Sequence, residues 1–150
     1  MQKTTMITKE QASQARQWYE IDATGVVLGK LAVLVADILR GKNKPTFSSN
    51  TDHGDYVIVR NANKVVLTAN KAEGEFWYSH SGYIGGLRKR SGREMLEKYA
   101  DELVTSAVKG MLPKNRLSRQ IILKLNVYKD FGKDHQAQKP HTLKVNKGSK

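Results

Sequence analysis

The chain has no cysteine among its 150 residues. Disulfide frameworks, thiolate metal sites, CxxC redox chemistry and cysteine nucleophiles are therefore excluded. Long hydrophobic runs are missing too. The longest stretch without a charged side chain runs from Phe76 to Leu87 and is broken by serine and glycine, well short of the ~20 apolar residues of a membrane span. The first seventeen residues carry Lys3, Lys9, Glu10 and Arg16 and hold no apolar stretch of the secretory-signal kind. Anionic side chains are scarce, 14 against 26 Lys and Arg, leaving a formal net charge of +12 and a pI near 9.9. A chain of this length buries ~68–70% of its unfolded surface. One cytoplasmic domain with a polyanionic partner, no membrane and no small-molecule substrate is the expectation.

The charge is clustered. From Lys109 to the end there are eleven cations against Asp130 and Asp134 alone. Solubility alone does not ask for such clustering.

Along the chain, residues 1–17 are polar and without period, and predict a flexible or docking tail. Trp18 to Ile21 reads as a short strand ending at the turn cluster Asp22-Ala23-Thr24-Gly25. Leu28, Leu31, Ala32, Val35, Ile38 and Leu39 recur at helical steps, and Gly41 stops that helix as a left-handed cap. The β-branched run Tyr56-Val57-Ile58-Val59 predicts a strand buried on both faces, Val65 to Thr68 a second one, and Phe76-Trp77-Tyr78 an edge strand. Ser91 and Glu94 fit a capping box, with helix to about Tyr99. A further helix is expected from Asp101 to Met111, ended by Pro113, then a basic one over Asn115 to Leu123 and a last strand at Leu125 to Tyr128. The fold class is α/β: a single three-layer α/β/α domain, residues 18–131, around a small, mainly parallel four-stranded sheet. Residues 132–150 are expected to form an extended basic tail.

Several motifs are tested and set aside. Gly25 to Lys30 lies between strand and helix, where a P-loop would lie. It has three residues rather than four before the Gly-Lys pair, and Leu31 in place of the magnesium-binding hydroxyl. A small nucleotide-binding enzyme using Thr24 to Lys30 is the alternative reading. His53, His80, His135 and His141 show no metal-ligand spacing, so no metal and no cofactor are expected. Asp52 and Asp55 flank His53 and Gly54 in an arrangement that a turn explains. A membrane-surface helix over Arg116 to Leu125 is disfavoured because Leu117, Ile121 and Leu125 are better used against a sheet. No catalysis is expected.

Three basic clusters remain, interleaved with glycine and aromatic residues. The first is Arg40, Lys42 and Lys44. The second is His80, Tyr83, Arg88, Lys89 and Arg90 around the glycine-rich loop. The third is Lys109, Lys114, Arg116 and Arg119 around Gly110 to Pro113. Lys and Arg neutralise phosphates, Tyr and His stack on unpaired bases, and glycine lets the backbone come close. Clusters on loops and helix ends suit folded RNA better than a groove-reading helix, and no zinc finger, basic zipper or RNP1 motif is present.

The motif series carries a resemblance. Trp18-Tyr19, Asp22-Ala23-Thr24-Gly25, Leu28-Gly29-Lys30-Leu31-Ala32 and Leu39-Arg40-Gly41-Lys42 run in order. Gly54-Asp55-Tyr56-Val57-Ile58-Val59, His80-Ser81-Gly82-Tyr83 and Ala107-Val108-Lys109-Gly110-Met111-Leu112-Pro113-Lys114-Asn115 follow. From about Trp18 to Pro140 the chain resembles the bacterial family of large-subunit ribosomal protein thirteen. The resemblance implies a non-catalytic constituent of the large subunit that binds its ribosomal RNA, sits beside other large-subunit proteins and joins early in assembly. By the resemblance the loops around Lys42, Tyr83 and Lys109 to Arg119, Gly110 and Asn115 included, are expected to contact RNA, and Lys30 is expected to join them. Two places depart from the family's pattern. Ser118 stands where glycine is usual, and the histidine-proline-rich stretch is shortened around Asp134 to Gln138.

Overall fold

The computed structural model describes residues 7–132 and 134–145. The ends of both expected tails, and Lys133, lie outside the described residues. The first element, α1 (Lys9–Gln14), falls inside the expected N-terminal tail. Thr8 accepts from the Gln11 amide while the Gln11 side chain accepts from the Thr8 amide, a reciprocal cap that local polar residues can make without any apolar period.

Four parallel strands make the main sheet: β1 (Trp18–Asp22), β2 (Tyr56–Arg60), β5 (Leu125–Val127) and β6 (His141–Leu143), in the order β5-β2-β1-β6. β1 and β2 pair with Trp18 opposite Tyr56 and Ile21 opposite Val59. Val57, Ile58 and Val59 are all completely buried, as an uninterrupted apolar run predicts for a strand covered on both sides. Val57 and Val59 join the main core with Leu31, Val35 and Leu39 of α2 (Leu28–Arg40) and Val104 and Val108 of α5 (Ala100–Met111). The opposite face carries Trp18, Glu20, Tyr56, Ile58 and Arg60, and Tyr128, Phe131, Asp134 and His135 lie against it. Trp18 stacks on Tyr56 at 4.3 Å and on His135 at 5.3 Å. Buried Arg60 pairs with Glu20 at 2.5 Å and donates to the Asp134 carbonyl.

The helix α2 ends as its sequence predicts. Gly41 has φ +76°, and its amide and that of Lys42 close onto Ile38 and Asp37, each at 3.0 Å. α4 (Gly92–Lys98) begins at Ser91, whose hydroxyl accepts from the Glu94 amide. α6 (Arg116–Ile121) is capped by Asn115 Oδ1 on the Ser118 amide at 2.8 Å. Leu117 and Leu125 pack against the core and Ile121 is buried, so that face of the basic helix is spent inside the protein.

Three expectations are corrected. Val65 to Thr68 forms no strand: Asn61, at φ +55°, turns the chain into a 3-10 turn, and only Val66 bridges to Val27 before Ala69, also at φ +55°, turns it away. The aromatic segment is a strand, β3 (Phe76–His80), but it pairs with β4 (Leu87–Ser91) in a separate antiparallel hairpin, beside the short α3 (Lys71–Gly74). Its own partner satisfies it, so it has no need of the sheet edge. The C-terminal segment returns as β6, opposite Tyr19 and Ile21 of β1, with Leu143 and Val145 against the core. A three-residue strand after Pro140 is too short to show an alternation, and the open edge of β1 supplies the hydrogen bonds that hold it.

Candidate nucleic-acid interface

The charged residues divide into those spent inside the protein and those left for a partner. Lys44 is spent. Its ammonium reaches Asp55 Oδ1 at 2.5 Å, the His53 carbonyl at 3.1 Å and the Ala15 carbonyl at 3.4 Å, which uses all three of its donors. Lys44, expected to contact RNA, is tied into the protein by a carboxylate folded onto it, which a count of cations does not reveal. Asp55 is fully buried and also accepts from the Gln17 amide at 2.9 Å.

Asp52 holds a second pair. It takes Lys124 at 2.5 Å, Arg16 at 3.0 Å and the Gly54 amide at 3.1 Å. Burial pushes the Lys124 ammonium below the usual lysine pKa, against the pull of the Asp52 carboxylate. The Asp-His-Gly-Asp segment is an irregular stretch in which the Asp52 side chain accepts from the Gly54 amide two residues on. It is also an ionic tie joining the N-terminal segment, the end of α2 and the chain after α6. Among the described residues no group of three or more His, Asp or Glu is placed to hold a metal ion.

Arg40 and Lys42 remain at the end of α2. The Arg40 guanidinium lies 5.5 Å from the centre of the Phe47 ring, and Lys42 stands 3.4 Å from Asp37, both half-exposed and screened by water. Lys30 is exposed in the first turn of α2, on the rim of a cleft of about 450 Å³ that also takes in Lys71, Trp77 and Ser106. The P-loop alternative finds no cradle there. The Leu28 amide is taken by the Val66 carbonyl at 3.1 Å, and the Thr24 hydroxyl turns back to Asp22 at 2.7 Å.

In the hairpin, Arg88, Lys89 and Arg90 do not act as one cluster, because successive strand residues face opposite sides. Arg90 is held by Glu102 at 3.0 Å and lies 3.9 Å over the Tyr99 ring. Lys89, on the other side, lies 3.7 Å over the Phe76 ring. Arg88, opposite Ser79, makes no ion pair or side-chain hydrogen bond among the described residues. Gly82 and Gly85, both at positive φ, shape the tip that exposes Tyr83 and Ile84, while the His80 ring accepts from the Gly82 amide. Arg90→Ala is therefore expected to lower stability by about 1 kcal/mol, read by urea denaturation. Arg88→Ala should leave stability alone and reduce the log–log salt slope of RNA binding by about 0.7–0.9. An unchanged slope would remove Arg88 from the interface.

The third cluster does converge. Lys109, Gly110, Lys114, Asn115 and Arg119 line one cleft of about 550 Å³ at the corner between α5 and α6. Lys109, Lys114, Arg116 and Arg119 make no ion pair among the described residues, so these cations are free for a partner, although Arg116 does not line the cleft. The sequence reading missed Leu112 and Ile122, which give the cleft apolar surface, and the role of Ser118, noted only as a departure. Ser106 lines this cleft and the one beside Lys30, and a small void joins Arg40 and Phe47 to Asn115 and Ser118. Residues from the first and third clusters thus meet around the C-terminal end of α5, with the base of the hairpin alongside.

The chain is similar to known proteins along nearly all of its length. The sequence profile of the family described as Ribosomal protein L13 matches residues 16–135. The large ribosomal subunit protein uL13 of Mycoplasma pneumoniae is 62% identical over 143 residues, which cover 95% of this chain and 98% of that protein. Its counterpart in Ureaplasma urealyticum is 59% identical over 145 residues, covering 97% and 98%. That of Thermotoga maritima is 50% identical over 145 residues, covering 97% and 96%.

Proposed function

Because the chain belongs to the ribosomal protein L13 family, we propose that it binds large-subunit ribosomal RNA as a structural, non-catalytic constituent of the ribosome, and that it joins the particle early in assembly. The observation that carries this reading is the α5–α6 corner, where unpaired Lys109, Lys114 and Arg119 surround a single cleft. Cations with no carboxylate beside them retain their full counterion-release contribution when they meet phosphates. Cations already spent, such as Lys44, do not. The end of α2 and the exposed hairpin tip extend the same interface. Residues 18–131 form the binding body. The described parts of the flanking segments, 7–17 and 134–145, are held to that body through Arg16 and β6.

Sedimentation of cell lysate through sucrose gradients, at low salt and after a high-salt wash, tests the proposal. The chain is expected to stay with the large subunit through the wash. Recovery in the light fractions at both salts would overturn it. A rise in melting temperature with millimolar ATP or GTP would favour the nucleotide-enzyme alternative instead.

A further inference from the structure

The α5–α6 cleft is more than a basic patch. Leu112, Pro113 and Ile122 give it an apolar floor, whereas Lys109, Lys114 and Arg119 contribute charge. Its volume lies within the ~300–1,000 Å³ typical of sites that enclose a small molecule. Ser118, which also lines it, is 7% exposed, and its hydroxyl oxygen is buried without a hydrogen-bond partner. Leaving such a group unpaired is unfavourable, and a ligand able to bond it recovers that loss. At Gly110 an added Cβ would meet nothing within 4 Å, so the floor is open there although glycine weakens a helix.

We propose that this cleft receives one unstacked nucleotide of the RNA. The base lies against Leu112, Pro113 and Ile122, its polar edge within reach of Ser118, and the flanking phosphates lie on Lys109, Lys114 and Arg119. A phosphate-only site has no use for the apolar floor. A fully paired duplex keeps its bases stacked inside and offers the cleft only backbone, whereas a bulged or looped nucleotide presents a free face and edge. The proposal rests on the RNA-binding function above and assigns that binding a substrate form: folded RNA with an extruded nucleotide at this corner.

The test uses the full chain, isotope-labelled for NMR, and two fluorescent hairpin RNAs that differ by one bulged nucleotide. AMP at millimolar concentration is expected to shift the amides of Leu112, Ser118 and Ile122 as well as those of Lys109 and Lys114. Inorganic phosphate should move only the last two. The bulged hairpin should bind about tenfold more tightly than the paired one, a difference of about 1.4 kcal/mol. Gly110→Leu, which fills open space, should abolish the AMP shifts of Leu112, Ser118 and Ile122 and bring the ratio of the two affinities to one. Ser118→Ala, a smaller change, should reduce that ratio several-fold. Identical shifts from AMP and phosphate, or equal binding of the two hairpins, would overturn the proposal while salt-dependent binding of both upheld the general function. Micromolar binding of free AMP without any preference for the bulge would overturn it in favour of a mononucleotide ligand. Failure of both hairpins to bind would sink the RNA-binding reading itself.

Discussion

Alanine at position 54 is expected to lower the melting temperature by about 10 °C or more, because an added Cβ there meets the closest neighbour found among the described glycines. The requirement at Gly54 is for space rather than for an unusual φ. A Cβ there would lie 1.6 Å from the Leu39 carbonyl oxygen, 2.4 Å from its carbon and 2.8 Å from Lys124 Nζ. Two of those neighbours are backbone of the last turn of α2 and cannot swing aside. Relief means moving the 53–55 loop away from α2, which pulls on the Lys44–Asp55 and Lys124–Asp52 pairs together. Overpacking alone costs about 1–3 kcal/mol, and breaking a buried pair about 3–5 kcal/mol. In a chain of this length each kcal/mol is worth about 2–4 °C. Circular dichroism melting is the measurement, with Gly29→Ala as the control, because a Cβ at Gly29 meets nothing within 4 Å. An unaltered melting temperature for Gly54→Ala would mean that the loop is not held against α2.

Replacing Lys109, Lys114 and Arg119 together by alanine is expected to weaken binding to large-subunit RNA about 100-fold at 0.1 M salt. The salt slope should become shallower by about 2–2.7, the sum of three phosphate contacts at ~0.7–0.9 each. Stability should hardly change, because none of the three is paired within the protein. Fluorescence anisotropy at several salt concentrations, beside a denaturation curve, separates the two effects. If affinity falls only as far as stability does, these cations are structural and the interface lies elsewhere. The Lys44→Ala variant provides the contrast: it is expected to lose stability first, through the bare Asp55 carboxylate it leaves behind.

These results divide along a line that the sequence only partly draws. α2 was legible because six apolar residues repeat at helical steps and a glycine closes them. β2 was legible because three β-branched residues in a row suit only a strand covered on both faces. The hairpin was half legible. Phe76 to Tyr78 has strand composition, but Leu87-Arg88-Lys89-Arg90-Ser91 does not, and it is a strand because of its pairing with Phe76 to His80. The separation of spent from free cations was not legible at all. Lys44 and Lys109 have the same local look, a lysine near glycine, and differ only in whether a distant loop brings a carboxylate to them. Part of the α5–α6 corner, Lys109 to Asn115, lay inside one sequence motif, whereas Ser118 and Ile122, which complete the cleft, lay beyond it. Its concavity depends on the angle at which α6 leaves Pro113, which no motif states.

The order β5-β2-β1-β6 also sets a schedule for synthesis. β1 is made first of the four strands and has two partners, one about forty residues later and the other at His141–Leu143. The side of β1 facing β2 can be filled while most of the chain is still to come. The other side waits with unpaired amides and carbonyls until His141–Leu143 have been made, about 120 residues after β1 begins. An unfilled strand edge invites pairing with another chain, so the nascent protein passes through a vulnerable interval whose length is set by the ribosome's own speed. Closure comes when His141–Leu143, within the polar, basic C-terminal segment, pairs with Tyr19–Ile21.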